Sequence, residues 1–445
     1  VIETRYLIVG NSAGGIGAAE AIREVDRQGS LIIISEEPYP AYSRPLLLEY
    51  LIGERSLSSM LFRPPEFYEE NNITALLGRR AGRLNIEQHL AELEDGETIA
   101  WEKLLLATGG QPTIPPVTGL HLKGVFTFTT LDAARELGKS LEEAKRAVVI
   151  GSGLIGISVT EALMKRGLEV AVVVRTDRIL RAILDEEASY LAGAALREAG
   201  VKLLTHHNVA EIVGKPSRPR EVGGVVLDDG ETVPCDLVVI AVGVTPRTEL
   251  VSGTAVKVNQ GIVVDRQMAA SCPDVYSCGD VAEAYDFVWE RNRVIPIWPN
   301  AYIGGRVAGY NLAGVKTEYP GGTAMNSLRY FGLPIIAAGM VSPPEGQGYE
   351  VLRRRDNHTY RKIVLKDNVV VGMVLVKAIE RSGIIFGLMR DRVDVSEFKS
   401  ALVAEDFGLA SFPPQLWQRR LETPVTAGVH PASPSPQAKR REGGE

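Results

Sequence analysis

Two short runs carry the residue types that can hold a diphosphate. In YLIVGNSAGGIGAAEAIRE, Gly10, Ser12 and Gly15 occupy the three small positions of a G-x-G-x-x-G pattern. In AVVIGSGLIGISVTEALMKRG, Gly151, Gly153 and Gly156 match it in full. The first glycine permits a tight turn, the second lets backbone approach a pyrophosphate, and the third lets helix and strand pack closely. The helix start then offers free N–H groups and a positive dipole end to the phosphates. Ala13 lies at that start in the first run, Leu154 and Ile155 in the second. Ser12 departs from the pattern by one hydroxyl, which loosens the approach and can itself donate to a phosphate oxygen. A purely structural turn is the plain alternative. Glu36 argues against it, because an acid about twenty residues on is where a ribose hydroxyl is accepted.

These residues need a strand, a turn and a helix, and the sequence writes that unit twice. Each run is an apolar strand, a glycine turn and a small-residue helix leading to a second apolar strand, LIIISEE or EVAVVVR. Two βαβ units in one chain predict two dinucleotide-binding domains. Two further segments, KLLLATGGQP (103–112) and DLVVIAVGVTP (236–246), read as buried strands that close each unit and hand the chain on. Thr108, Gly109 and Gly243 sit at their ends. In GIVVDRQMAASCPDVYSCGDVAEA (261–284), Gly279-Asp280 reads as the end of a strand before a small-residue helix. That arrangement places one carboxylate at a ribityl hydroxyl and helix N–H groups at phosphates.

Composition narrows the remaining classes. The 445-residue chain is 45% hydrophobic and 23% charged, with net charge −6, which disfavours general nucleic-acid binding. Its three cysteines, Cys235, Cys272 and Cys278, form no C-x-x-C pair. That count suggests neither a disulfide framework nor an iron–sulfur or zinc site, so no metal is expected, and it fits a reducing compartment. His206-His207 is the only histidine pair and reads as a surface feature. The chain opens on a strand with no leader-like stretch, and no apolar run reaches the roughly 18 residues of a membrane span. A cytoplasmic location without membrane insertion is therefore expected.

The order of first fingerprint, Ala-Thr-Gly segment, second fingerprint, Ala-Val-Gly segment and Gly-Asp segment resembles the two-dinucleotide-binding-domain flavoproteins, the pyridine nucleotide–disulfide oxidoreductase superfamily, over residues 3–315. The resemblance implies an α/β fold: two Rossmann-like domains, for FAD and NAD(P), plus a smaller α+β C-terminal domain. It divides the chain into an FAD domain in two parts (1–112 and 241–318), an inserted NAD(P) domain (113–240), an interface domain (319–415) and a disordered tail (416–445). Within the superfamily, SEEPYPAYSRPLL is similar to the rubredoxin and ferredoxin reductases and the flavin region of nitrite reductase, whose motif arginine falls on Arg44. The resemblance also carries Ala81 to the FAD site. NSLRYFGLPIIAAG (326–339) resembles FAD/NAD(P)-binding subunits that serve larger iron–sulfur complexes.

The departures bear on the chemistry. No cysteine follows the first fold, where disulfide reductases carry theirs, and no His-Glu pair lies near the C-terminus. Relatives of the rubredoxin-reductase type have a flavin-side lysine where this chain has Glu49, and a glutamate where it has Ser158. The flavin is thus the only redox centre expected, with Glu49 and Ser158 as its candidate neighbours. The resemblance implies that the helix within VIPIWPNAYIGGRVAGYNLAG points its N-terminus at the flavin, with Trp298 either at the ring edge or in a domain seam.

Arg175 ends the second strand of the second unit, where an acid would read a ribose 2′-OH. With Arg181 it suggests pairing to a 2′-phosphate and favours NADPH; NADH stays open, since arginine also stacks on adenine, and the run can be a solvated charge cluster. In the C-terminal part, KIVLKDNVVVGMVLV predicts two strands around Asp367-Asn368, and RSGIIFGLMRDR a helix. The basic LRRRDNHTYRK run either steers an acidic partner or guards a strand edge. Three functions follow: an NAD(P)H:acceptor oxidoreductase serving a ferredoxin, rubredoxin or other iron–sulfur protein, a subunit of a multi-subunit iron–sulfur oxidoreductase, or a peroxide-forming oxidase. A homodimer is compatible with each.

Overall fold

The computed structural model describes residues 1–356 and 359–416, and its strands group into three main sheets. The tail read as disordered, 416–445, lies outside the described residues except for Leu416.

In the first sheet Ile2–Val9 runs parallel to Leu31–Ser35 on one side and to Thr98–Leu106 on the other. The Tyr6–Val9 end is buried on both faces, which is why its sequence is continuously apolar rather than alternating. Thr98–Leu106 changes neighbour along its length. Its start pairs antiparallel with Leu90–Leu93, and its end pairs parallel with Val275–Ser277. The chain therefore returns to the first sheet after building everything between, and so brings Gly279-Asp280 beside the first glycine turn.

The second sheet is parallel, ordered Lys202–Thr205, Glu169–Val174, Arg146–Ile150, Leu237–Ile240, Val125–Thr127. The two connecting segments meet as a ribbon: Gly110–Pro112 pairs antiparallel with Val244–Pro246. Each outgoing and returning chain is thus held by the other.

The third sheet is antiparallel, ordered Met325–Tyr330, Leu333–Gly339, Val369–Val376, Tyr360–Lys366, Tyr349–Arg355. Its alternation sorts two cores. Ile335, Ala337, Val374 and Val376 join Ile157, Leu163 and Val149 of the second unit in one cluster. Ile336, Ala338, Met373 and Leu375 face the other way, onto Ile385 and Leu388 of the helix Ser382–Arg390. The C-terminal sheet is consequently fused to the second nucleotide unit by apolar burial.

One local expectation fails. No helix follows Gly279-Asp280; a single 3-10 turn, Gly279–Val281, leads into the strand Ala282–Asp286. Val-Ala-Glu-Ala is permissive for helix, but tertiary pairing overrides weak propensity. Ala282 and Glu283 pair with Ile262 and Val263, and the same strand forms a hairpin with Arg291–Val294. The buried Asp286 carboxylate closes that hairpin by accepting the Val288 and Trp289 N–H groups and pairing with Arg293 at 2.9 Å. The helix start comes later, at Trp298–Leu312.

Candidate functional site

Both glycine turns have the geometry their sequence implies. Gly10 and Gly151 follow their strands with φ of +125° and +110°, which side-chain-bearing residues rarely adopt. A Cβ on Gly15 would overlap the Gly10 carbonyl, and one on Gly156 the Gly151 carbonyl, so each third glycine is a packing requirement. Gly153, Gly109 and Gly243 differ: added Cβ atoms there would meet nothing, because these backbones face open space.

The helix starts identify what that space suits. Ala13–Val25 is preceded by Ser12 and Leu154–Lys165 by Gly153; neither has a side-chain cap or an acid in its first turn. Trp298–Leu312 likewise begins uncapped, with Pro299 in its first turn. Elsewhere in the second unit, Thr130 caps Leu131–Ser140, and Asp185 caps Glu186–Glu198 with Glu186 and Glu187 behind it. Bare N–H groups on the fingerprint helices form a donor set for anions, and a pyrophosphate fits them.

Close packing aligns the first helix with the Trp298 helix. An added Cβ at Gly14 would lie 2.7 Å from the Cys278 sulfur, and one at Gly279 would lie 3.5 Å from the Ala301 Cβ. Added Cβ atoms at Gly305 and Gly309 would strike the backbone at Gly14 and Ala18. The first turn of one helix, the Gly279-Asp280 turn and the first turn of the other therefore converge.

Among the described residues, none donates a hydrogen bond to the Asp280 carboxylate. Burial holds its carboxyl above the usual carboxylate range, partly offset by Arg44. A half-buried carboxylate lacking a donor fits a ribityl hydroxyl, so the residues present suit FAD. Arg44 opens the 3-10 turn Arg44–Leu46 and donates to the Thr129 carbonyl at 2.7 Å. Burial disfavours its charge, but Tyr42 and Glu37 outweigh that and raise its pKa. Glu37 is bonded by Arg44 and by the Tyr42 hydroxyl, a role that nothing in the sequence distinguishes from that of its neighbour Glu36. Tyr39 and Arg135 add a second tie between this loop and the inserted unit, 2.6 Å apart.

Glu36 stands just past Leu31–Ser35, paired with Arg247 and 3.7 Å from Arg80. Neither arginine belongs to a recognisable motif. Ala81 begins the strand Ala81–Asn85 next to Arg80. The Thr108 hydroxyl is committed to the Arg247 carbonyl at 2.8 Å. Trp298 packs edge-on against Phe62, centroids 5.3 Å apart, with Tyr302 on the same ring.

The arginine cluster of the second unit divides. Arg178 and Arg181 are both tied to Asp177, whereas Arg175 is exposed and has no partner among the described residues. Glu49 keeps one buried carboxylate oxygen without a hydrogen-bond partner. The Ser158 hydroxyl is turned to Tyr330 of the C-terminal sheet, 3.0 Å away.

The three cysteines are buried and free. Burial pushes the Cys235 and Cys278 thiols up to about 12, where a thiolate is scarce at neutral pH. His207 lies beside Asp228 and Asp229 on the surface. Among the described residues no helix is long and apolar enough to cross a membrane. The basic run proves largely spent on internal contacts. Arg354 pairs with Asp356 and Glu405, Arg355 with Glu187, and Lys362 is buried against Asp185; Asn357 and His358 lie outside the described residues.

Two dinucleotide cradles joined to a C-terminal sheet define an FAD-dependent NAD(P)H oxidoreductase of the ferredoxin/rubredoxin reductase type. The chain belongs to the pyridine nucleotide-disulphide oxidoreductase family, which it matches over residues 4–305, and residues 325–393 match the rubredoxin NAD+ reductase C-terminal domain. It is 32% identical to the NADH-dependent phenylglyoxylate dehydrogenase subunit epsilon of Aromatoleum evansii, covering 90% of this chain and 95% of that one. It is 28% identical to the assimilatory nitrate reductase electron transfer subunit of Bacillus subtilis (strain 168) over 90% of its own length but spans only 51% of that protein. Its fold superposes with a TM-score of 0.81 on the crystal structure of the covalent putidaredoxin reductase–putidaredoxin complex, at 25% identity, covering 88% of this chain and 94% of that one.

Proposed function

We propose that this chain passes electrons between NADPH and an iron–sulfur or rubredoxin-type protein, with FAD as its only redox centre. The observation that carries the reading is the pairing of two bare helix starts with three buried, free cysteines. FAD supplies the chemistry when bound, taking a hydride and giving up electrons singly. The protein binds, orients and excludes water. Backbone N–H groups from Ala13 and Leu154 onward hold the two pyrophosphates. Asp280 accepts from the ribityl chain, and Arg44 keeps the 39–44 loop docked on the inserted unit. Positioning of this kind is worth several kcal/mol of barrier without any protein acid or base, on the order of 7–11 kcal/mol at best.

Arg175, exposed and unpartnered among the described residues, supports NADPH over NADH, because its guanidinium can pair bidentately with a 2′-phosphate. The division of the chain at 1–112, 113–240, 241–318 and 319–415 belongs to the same reading. Three cysteines without a disulfide support a reducing, cytoplasmic setting. A second reading has one specific support. The near full-length similarity to an epsilon subunit favours work as the FAD/NAD(P)-binding subunit of a larger iron–sulfur oxidoreductase. Reconstitution with FAD followed by anaerobic addition of NADPH and then a ferredoxin tests both. Flavin bleaching and recovery with isolated protein supports a freestanding reductase. Bleaching without recovery until a co-purified partner is added supports the subunit.

A further inference from the structure

The NSLRYFGLPIIAAG segment has a physical peculiarity. Met325–Tyr330 and Leu333–Gly339 form a hairpin whose two central turn residues, Phe331 and Gly332, have φ of +49° and +77°. Such a turn favours Asn or Asp with Gly, and a bulky residue at positive φ is strained. The same sheet makes another tight turn with Asp367 and Asn368, φ +51° and +59°, using residues that tolerate it. Phe331 is thus held where its own backbone preference is poor. Such strain persists where surrounding contacts over-determine the conformation, commonly at functional positions.

Those contacts lie on the second fingerprint helix. The Tyr330 hydroxyl donates to the Leu154 carbonyl at 3.2 Å and accepts from Ser158 at 3.0 Å. Phe331 itself packs against the apolar cluster that holds Ile157 and Leu163 of that helix. Tyr330 is 6% exposed, and burial pushes its hydroxyl up to about 12, so it stays a neutral donor. Leu154 and Ser158 bracket the first turn, whose uncapped N–H groups face the open space before Gly153.

We propose that Tyr330 is a positioning residue for the pyridine nucleotide: from the C-terminal sheet it fixes the first turn of the helix Leu154–Lys165, and so sets how tightly the dinucleotide is held. The proposal rests on the reading that Gly151, Gly153 and Gly156 hold NAD(P)H. It ties nucleotide affinity to a residue of the C-terminal sheet.

The test uses FAD-loaded full-length protein and titrates NADP+ and NAD+ by calorimetry, alongside steady-state kinetics. Tyr330→Phe should raise Kd and KM roughly fivefold, the scale of a lost hydrogen bond, with little change in kcat, FAD content or flavin spectrum. Ser158→Ala should act in the same direction, and Ser158→Thr should stay near wild type. Tyr330→Phe combined with Ser158→Ala should add little to Tyr330→Phe alone. Gly153→Asp separates the two levels. If it leaves nucleotide binding intact, the site reading itself fails. If it abolishes binding while Tyr330→Phe and Ser158→Ala leave Kd within twofold, only the positioning role is overturned. A parallel loss of FAD and thermal stability in Tyr330→Phe, with normal Kd in Ser158→Ala, overturns it as well.

Discussion

Asp280 is the residue whose chemistry is most exposed to test. Its folded pKa is raised, so its protonated form is favoured in the FAD-free fold; the associated stability is full at low pH and falls as pH rises through the raised value. A ribityl hydroxyl donating to the carboxylate reverses that preference, so FAD binding should release protons. The FAD affinity of apoprotein should therefore tighten with pH, starting from the ordinary aspartate value of about 4. Fluorescence-quenching titrations check this, and Asp280→Asn should flatten the profile. A wild-type profile already flat there contradicts the assignment. Arg175 makes the second residue-scale prediction. Arg175→Glu should lower the NADPH/NADH ratio of kcat/KM by tenfold or more, on the order of 1.5–3 kcal/mol for a charge-assisted hydrogen bond. An unchanged ratio places the 2′-phosphate elsewhere or nowhere.

At the scale of elements, the join between the inserted unit and the C-terminal sheet depends on Asp185. Its carboxylate caps the helix Glu186–Glu198 through the Ala188 N–H, and it accepts from Tyr360 at 2.6 Å and Lys362 at 2.9 Å. Lys362 is 2% exposed, so Asp185→Ala leaves a buried ammonium unpaired and should cost about 3–5 kcal/mol in a denaturant melt. A loss below about 1 kcal/mol would mean the pair is solvated. Such joins were invisible in the sequence, because Asp185 and Lys362 belong to different units and neither sits in a motif. The glycine turns were legible, since backbone geometry restricts residue choice at those few positions. The Asp367-Asn368 hairpin was legible for the same reason. The Gly279-Asp280 turn was half legible: the carboxylate was found, but the helix after it was not, because pairing with Ile262–Val263 decides that stretch. The Tyr330 contacts had one signal, a Phe-Gly turn where Asn-Gly is expected, and its meaning needed the third dimension.

At the scale of the molecule, Arg354 and Arg355 of the basic strand pair with Glu405 and Glu187 within the chain, which disfavours a steering role for those two. Replacing both with alanine should leave the salt dependence of acceptor reduction unchanged and lower stability only slightly, each exposed pair being worth roughly 0–1 kcal/mol. A flattened salt dependence would assign the strand to docking after all. The central claim is that the cradles hold one two-electron carrier and that no thiol joins it. An anaerobic titration of the FAD-loaded protein with NADPH counts those electrons directly. The account predicts complete loss of visible flavin absorbance at one equivalent of NADPH per FAD, with no further uptake. Consumption of a second equivalent, or bound flavin that neither NADPH nor NADH bleaches, would contradict it.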